Sequence, residues 1–157
     1  MRTAAALLLG LSQISAAPIP NNWPVYVNVL HRYRVCHPPS LVPQGETQNS
    51  AGQAFRSRDG AALNLYGYYA DDGASLEKEL AESAMSSAGP RAKISYRRER
   101  ANWGVVSGSD GSGHKFYIKL LKRQDEIVKL DLRYPASLAK QYRPITGQVS
   151  QCFSLTR

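Results

Sequence analysis

Three histidines (His31, His37 and His114), two cysteines (Cys36 and Cys152) and a small-residue run, Ser107–Gly113, are the places in this 157-residue chain where chemistry could be built. General-base or metal work by histidine needs partners at recognisable spacing, such as H-E-x-x-H or a pair at i and i+4. Neither spacing occurs, so the histidines read as surface or structural groups, although folding could still bring His31 toward His114. The small-residue run lies between two strand patterns and lacks a Gly-Lys-Ser/Thr ending. A phosphate cradle needs a strand running into a helix, with N–H groups aimed at the anion, so the run reads as a flexible hairpin loop. No G-x-S-x-G nucleophile elbow is present. Glu77, Glu79 and Glu82 belong to a solvated helix face and Asp71 and Asp72 to a turn, so no glycosidase pair is indicated. No catalytic residue, metal ligand or cofactor is therefore expected.

Basic side chains are the remaining candidates. Arg97-Arg98-Glu99-Arg100 is the densest charge run, but on a strand its members divide between two faces. Lys115, Tyr117, Lys119, Lys129 and Arg133 are expected to share one polar sheet face, and that face is where an anionic ligand is expected to bind. Twenty Lys and Arg against twelve Asp and Glu give a net charge of +8, which favours acidic partners without choosing among them. Nucleic acid is disfavoured, because no aromatic-rich recognition motif accompanies the charge. Trp103 reads as a core aromatic in preference to a binding platform.

The start of the chain points to export. Arg2, the apolar run Ala4–Leu11 and the small residues Ser15-Ala16-Ala17 form a secretory signal, expected to be cleaved after Ala16 or Ala17. Its apolar run is too short to span a bilayer, which takes about 20 residues. The secreted or periplasmic protein is then a single domain, residues 17–157. In an oxidising compartment Cys36 and Cys152 are expected to form one disulfide; two separate buried thiols, or a metal or redox pair with His37, are the alternatives.

Positioning falls to an α+β arrangement. Trp23–Val35 alternates as one strand, Ser40–Ala54 is loop by composition, and Ala54–Ser57 and Leu63–Tyr69 flank an Asp59-Gly60 turn. A helix capped by Ser75 runs to Gly89-Pro90. A four-strand meander follows over Lys93–Glu99, Trp103–Ser109, His114–Arg123 and Ile127–Tyr134. From Ala136 the chain is helical, and Pro144 is expected to kink it or to open a second helix. A three-residue loop after Arg123 would put Phe116, Ile118 and Leu120 opposite Tyr134, Leu132 and Leu130 on one apolar face. Lys119 would then face Asp131, and Tyr117 would face Arg133, across a solvated side. The two helices are expected to cover the apolar face.

Phe55-Arg56-Ser57-Arg58-Asp59-Gly60, Tyr96-Arg97-Arg98, Asn102-Trp103, Phe116-Tyr117-Ile118-Lys119, Leu132-Arg133-Tyr134-Pro135 and Tyr142-Arg143-Pro144 occur in an order that resembles uncharacterised bacterial secreted proteins near the PsbP-like fold. The best-known member of that fold is an extrinsic subunit of the oxygen-evolving photosystem. The resemblance spans roughly Ala54–Phe153 and implies a twisted antiparallel sheet flanked by helices. It also implies an accessory or binding role without a shared catalytic centre. Unlike lipoprotein relatives, the chain has no lipid-attachment Cys near its leader. The expected function is that of an exported, non-catalytic binding protein of the cell envelope, its partner a protein or an anionic surface. A hydrolase inhibitor presenting Ser40–Gly52 or Ser109–Gly113, and a small secreted hydrolase, are the alternatives.

Overall fold

The computed structural model describes residues 17–71 and 73–157, so the leader expected over residues 1–16 lies outside the described residues. The stretch expected as one strand is a hairpin: β1 (Val25–Asn28) and β2 (Tyr33–Cys36) pair antiparallel, with Val25 opposite Cys36. The reversal is built by Arg32, at a left-handed φ of 47°, and by the Asn28 side chain, whose oxygen accepts the His31 N–H at 2.8 Å. Alternating valines report extended backbone, but a left-handed arginine leaves no mark in the sequence.

A second correction falls in the stretch expected as loop. β3 (Val42–Glu46) pairs with β4 (Gly52–Arg56) across a register shift between Pro43 and Glu46. Proline and glycine mask a strand in sequence, and they are tolerated here because β3 lies at a sheet edge. β5 (Ala62–Tyr69) follows the Asp59-Gly60 turn, where Gly60 takes a φ of 92°.

Helix α1 (Leu76–Ala88) begins where Ser75 Oγ accepts the Lys78 N–H at 3.2 Å and ends at left-handed Gly89, whose N–H donates to the Met85 carbonyl. The meander follows as β6 (Lys93–Glu99), β7 (Trp103–Ser109), β8 (His114–Arg123) and β9 (Glu126–Pro135). A 3-10 turn over Ala136–Leu138 leads into α2 (Ala139–Cys152), and β10 (Ser154–Leu155) returns to pair with β2. Pro144 neither ends α2 nor starts another helix. Near the helix start its missing N–H forfeits a single ladder bond.

The large sheet runs β3-β4-β5-β9-β8-β7-β6, antiparallel throughout, while β1-β2-β10 forms a separate three-stranded sheet. Each face of the large sheet carries a core. Leu76, Leu80, Ala84 and Ala88 of α1 pack on Val106, Phe116, Ile118, Leu120 and Ile127. A Cβ on Gly104 would overlap Leu80, so glycine lets α1 approach β7 closely. On the opposite face Tyr142 and Val149 of α2 meet Leu63, Leu65, Val128, Leu130 and Leu132, with Tyr33 and Val35 of the small sheet completing the layer. Cys36 and Cys152 form the expected disulfide, which fastens β2 to the last turn of α2.

Two packed faces explain why the expected hairpin register is wrong. Arg123 faces Glu126 across a two-residue turn, so Lys119 lies opposite Leu130, Tyr117 opposite Leu132 and Ile118 opposite Asp131. A three-residue loop presupposes one apolar and one solvated face. A sheet covered on both sides has no such contrast to set its register. The turn itself needs Gln124 at a φ of 57°, with no glycine to signal it.

Candidate functional site

Opposing residues of an antiparallel pair point to the same face, so the corrected register divides the five expected contact residues. Lys115, Tyr117 and Lys119 point toward α2, while Lys129, opposite Leu120, and Arg133, opposite Phe116, point toward α1. Arg133 is engaged there, donating to the Asp110 carboxylate at 2.5 Å. The expected single basic face therefore does not exist, and three of its five members gather elsewhere.

They gather in a cleft between α2 and the outer strands β6–β8, where two hollows adjoin at Tyr117. The first, about 270 Å³, is walled by Lys115, Arg143, Tyr134 and the hydroxyl-bearing Ser95, Ser107 and Thr146. The second, about 280 Å³, is walled by Tyr96, Trp103, Lys119, Leu121 and Ser150. The Tyr117 hydroxyl lies 2.7 Å from Ser150 Oγ, and Lys119 Nζ donates to the Ser150 carbonyl at 2.8 Å. That carbonyl belongs to the last turn of α2, where a cation also suits the helix dipole. Burial lowers the Lys119 pKa and raises that of Tyr117.

Neither hollow is lined by a carboxylate, and Lys115, Lys119 and Arg143 enter no ion pair among the described residues. The Arg98 guanidinium adds a further cation, 5.9 Å from the Trp103 ring centroid. Chemically, the cleft offers cations and aromatic faces with hydroxyls between them, a combination suited to an anionic group attached to a flat or ring-shaped body. Arg143, Tyr96 and Trp103 were missed by sequence reasoning. Trp103, expected in the core, is only partly buried and faces Leu121 across β7–β8 on the cleft side. The helical set Ala139, Arg143, Thr146 and Ser150 recurs at three- and four-residue spacing, a signal that could have placed Arg143 beside the sheet.

The histidines lie apart from this cleft and from one another. His31 Nδ1 is 2.9 Å from Glu126 Oε1, and both side chains are buried. Arg123 also binds Glu126 and donates to the His31 carbonyl at 3.3 Å. Burial acts to raise the Glu126 pKa, but Arg123 and His31 together bring it below the usual carboxylate value. His114 sits at the other end of the β8–β9 hairpin, opposite Pro135, with Nδ1 3.2 Å from Asp110 Oδ2 but unaligned for a hydrogen bond. His31 and His114 therefore do not meet. His37 has Nδ1 3.0 Å from the Pro38 carbonyl and lies against Phe55 with ring centroids 4.5 Å apart; burial lowers its pKa. Among the described residues no Ser, Thr or Cys side chain hydrogen-bonds a histidine ring.

The loops that an inhibitor would present are tied down. Glu46 accepts from the Tyr26 hydroxyl and the Ser50 carbonyl from Asn28. In the other loop Asp110 turns inward, accepting the N–H groups of Ser112 and His114 at 2.8 and 3.1 Å.

Against solved structures, the chain is similar to the solution structure of cyanobacterial PsbP (CyanoP) from Synechocystis sp. PCC 6803. The match has a TM-score of 0.62 at 12% identity and covers 92% of this chain and 98% of that one. It is also similar to a crystal structure from Bacteroides thetaiotaomicron VPI-5482, with a TM-score of 0.52 at 9% identity, over 85% of this chain and 48% of the other. No family model matches the sequence, and no curated protein does. At such identities the likeness speaks for architecture: a twisted antiparallel sheet packed between two helices, in the PsbP-like α+β fold.

Proposed function

We propose that the protein is an exported, non-catalytic accessory or binding protein of the cell envelope, and that the α2 cleft holds an anionic group of its partner. One observation carries this reading: Lys115, Lys119 and Arg143 converge on two hollows that no carboxylate lines. Lys115 and Lys119 are half-buried and Arg143 is exposed at the rim, and none of the three gains an internal counter-charge among the described residues, so an anion entering from outside finds their attraction unspent. The disulfide supports an oxidising compartment, in agreement with the expected leader. Among the described residues no helix is long and apolar enough to cross a membrane. The PsbP-like fold supports a role in contacting other proteins.

Fluorescence titration of the mature protein with poly-glutamate and with neutral dextran tests the reading, Trp103 serving as reporter after Trp23→Phe. Saturable binding to the polyanion alone is expected, weakened about tenfold or more by the pair Lys115→Glu and Arg143→Glu. Lys129→Glu, on the opposite face, is the control and should change affinity less than about twofold. Undiminished binding by the double variant would sink the proposal.

A further inference from the structure

Strand β6 ends the large sheet at the side away from β3, and its seven residues, Lys93–Glu99, pair only with β7. Sheet edges of this length are blunted by charge, by bulges or by a covering segment, and β6 carries charge and a register shift between Ile94 and Tyr96. Here two large side chains, Ile94 and Tyr96, stand 48% exposed amid the charges. The register places Lys93, Tyr96 and Arg98 on the α2 side and Ile94, Arg97 and Glu99 on the α1 side. Ile94 borders a hollow of about 220 Å³ walled by Ala81, Met85, Pro90 and Val106. Arg97 is already satisfied by Glu99 and by the Glu77 carbonyl, whereas Lys93 and Arg98 enter no ion pair among the described residues.

The backbone has its own pattern. The Arg100 N–H donates to the Trp103 carbonyl at 2.8 Å, which fixes the phase of the antiparallel ladder. Alternation then turns the N–H and C=O groups of Arg98 and Tyr96 toward β7 and leaves those of Arg97 and Glu99 facing outward, where the Glu99 carbonyl accepts only from the Arg100 side chain, at 2.8 Å. A second copy of the chain would bring its own Lys93, Arg97, Arg98 and Arg100 against this edge and be repelled.

From this we infer that the β6 edge accepts an extended, acidic segment of a partner protein as an eighth strand, acidic side chains facing Lys93 and Arg98 and apolar ones facing Ile94 and Met85. Main-chain bonds to Arg97 and Glu99 supply register, and the two faces supply sequence preference. This edge borders the cleft through Ser95, Tyr96 and Arg98, but its outward main-chain groups and the hollow beside Ile94 do not involve Lys115 or Arg143, so the inference stands whether or not the cleft binds an anion.

The test uses the mature protein and a synthetic ten-residue peptide of alternating Glu and Val, with a scrambled peptide of the same composition. Binding below about 1 mM is expected for the alternating peptide, with amide shifts confined to β6 and its flanks in heteronuclear NMR spectra. Methylating the peptide backbone nitrogens on its pairing side should weaken binding about tenfold, as should Arg97→Pro, whose N–H faces outward, while Arg97→Ala should cost less than about threefold. Lys115→Glu with Arg143→Glu should leave this binding in place. Absence of binding at about 1 mM, equal affinity for the methylated or scrambled peptide, or shifts centred on α2 would each overturn the inference. The methylated peptide decides the matter should Arg97→Pro fail to fold.

Discussion

Asp110 and Asp131 are both buried, and acid moves them in opposite directions. Burial acts to raise the Asp110 pKa, but the N–H groups of Ser112 and His114 and the Arg133 guanidinium hold it well below the usual carboxylate value. Its stabilisation is therefore complete above the unfolded pKa, near 4, and drains away as pH falls through the lower folded value. Asp110→Asn should lose about 2 kcal/mol at pH 7, by urea denaturation, and the gap to the parent should close toward pH 2. Asp131 lies opposite Ile118 with Oδ1 unpartnered, and burial raises its pKa despite Ser87, Lys129 and Arg133 nearby. The folded chain binds that proton more tightly than the unfolded one, so this group costs stability as pH rises toward and past its folded pKa. Asp131→Asn should accordingly gain about 1 kcal/mol at pH 8 and nothing at pH 4; a loss at pH 8 would mean that the carboxylate is satisfied in the fold.

At the scale of elements, α2 connects stability to the cleft. Its last turn carries both Ser150, which holds Tyr117 and Lys119, and Cys152, fastened to β2 across a sequence separation of 116. Loop-closure entropy puts the disulfide at about 4–5 kcal/mol. Replacing both cysteines by serine should lower stability by up to that amount, and hydrogen exchange should accelerate first in the final turn of α2. Unchanged protection there would show that packing by Tyr142 and Val149 holds the turn alone. The same elements mark where sequence was legible. Helix α1 declared itself through Ser75, Gly89 and a regular apolar stripe, and the meander through alternating strands broken by glycine and charge. The turns at Arg32 and Gln124 did not, because their left-handed residues are not glycine, and β3 was hidden behind Pro43 and Gly45. Lys115, Tyr117 and Lys119 were visible as alternate residues of one strand, and Arg143 only through its helical spacing with Ala139, Thr146 and Ser150, whereas Trp103 reaches the cleft through tertiary packing that no local pattern encodes.

Taken whole, the molecule carries +8 and builds on both faces of one sheet, so its charge sits on edges and clefts instead of on a bare sheet face. Cations in open hollows are screened by salt within about 8–10 Å near physiological ionic strength. Poly-glutamate affinity should therefore fall at least about tenfold between 50 and 500 mM NaCl, measured by the same fluorescence titration. Salt-independent affinity would indicate that apolar contact with Trp103 and Tyr96 governs binding. The bridge between Cys36 and Cys152 has one more effect, on how firmly the wall of the cleft is held. A copy folded among reduced thiols would keep its strands but anchor the helical wall by contact alone, giving one sequence a firm and a slack edition selected by the chemistry of its surroundings.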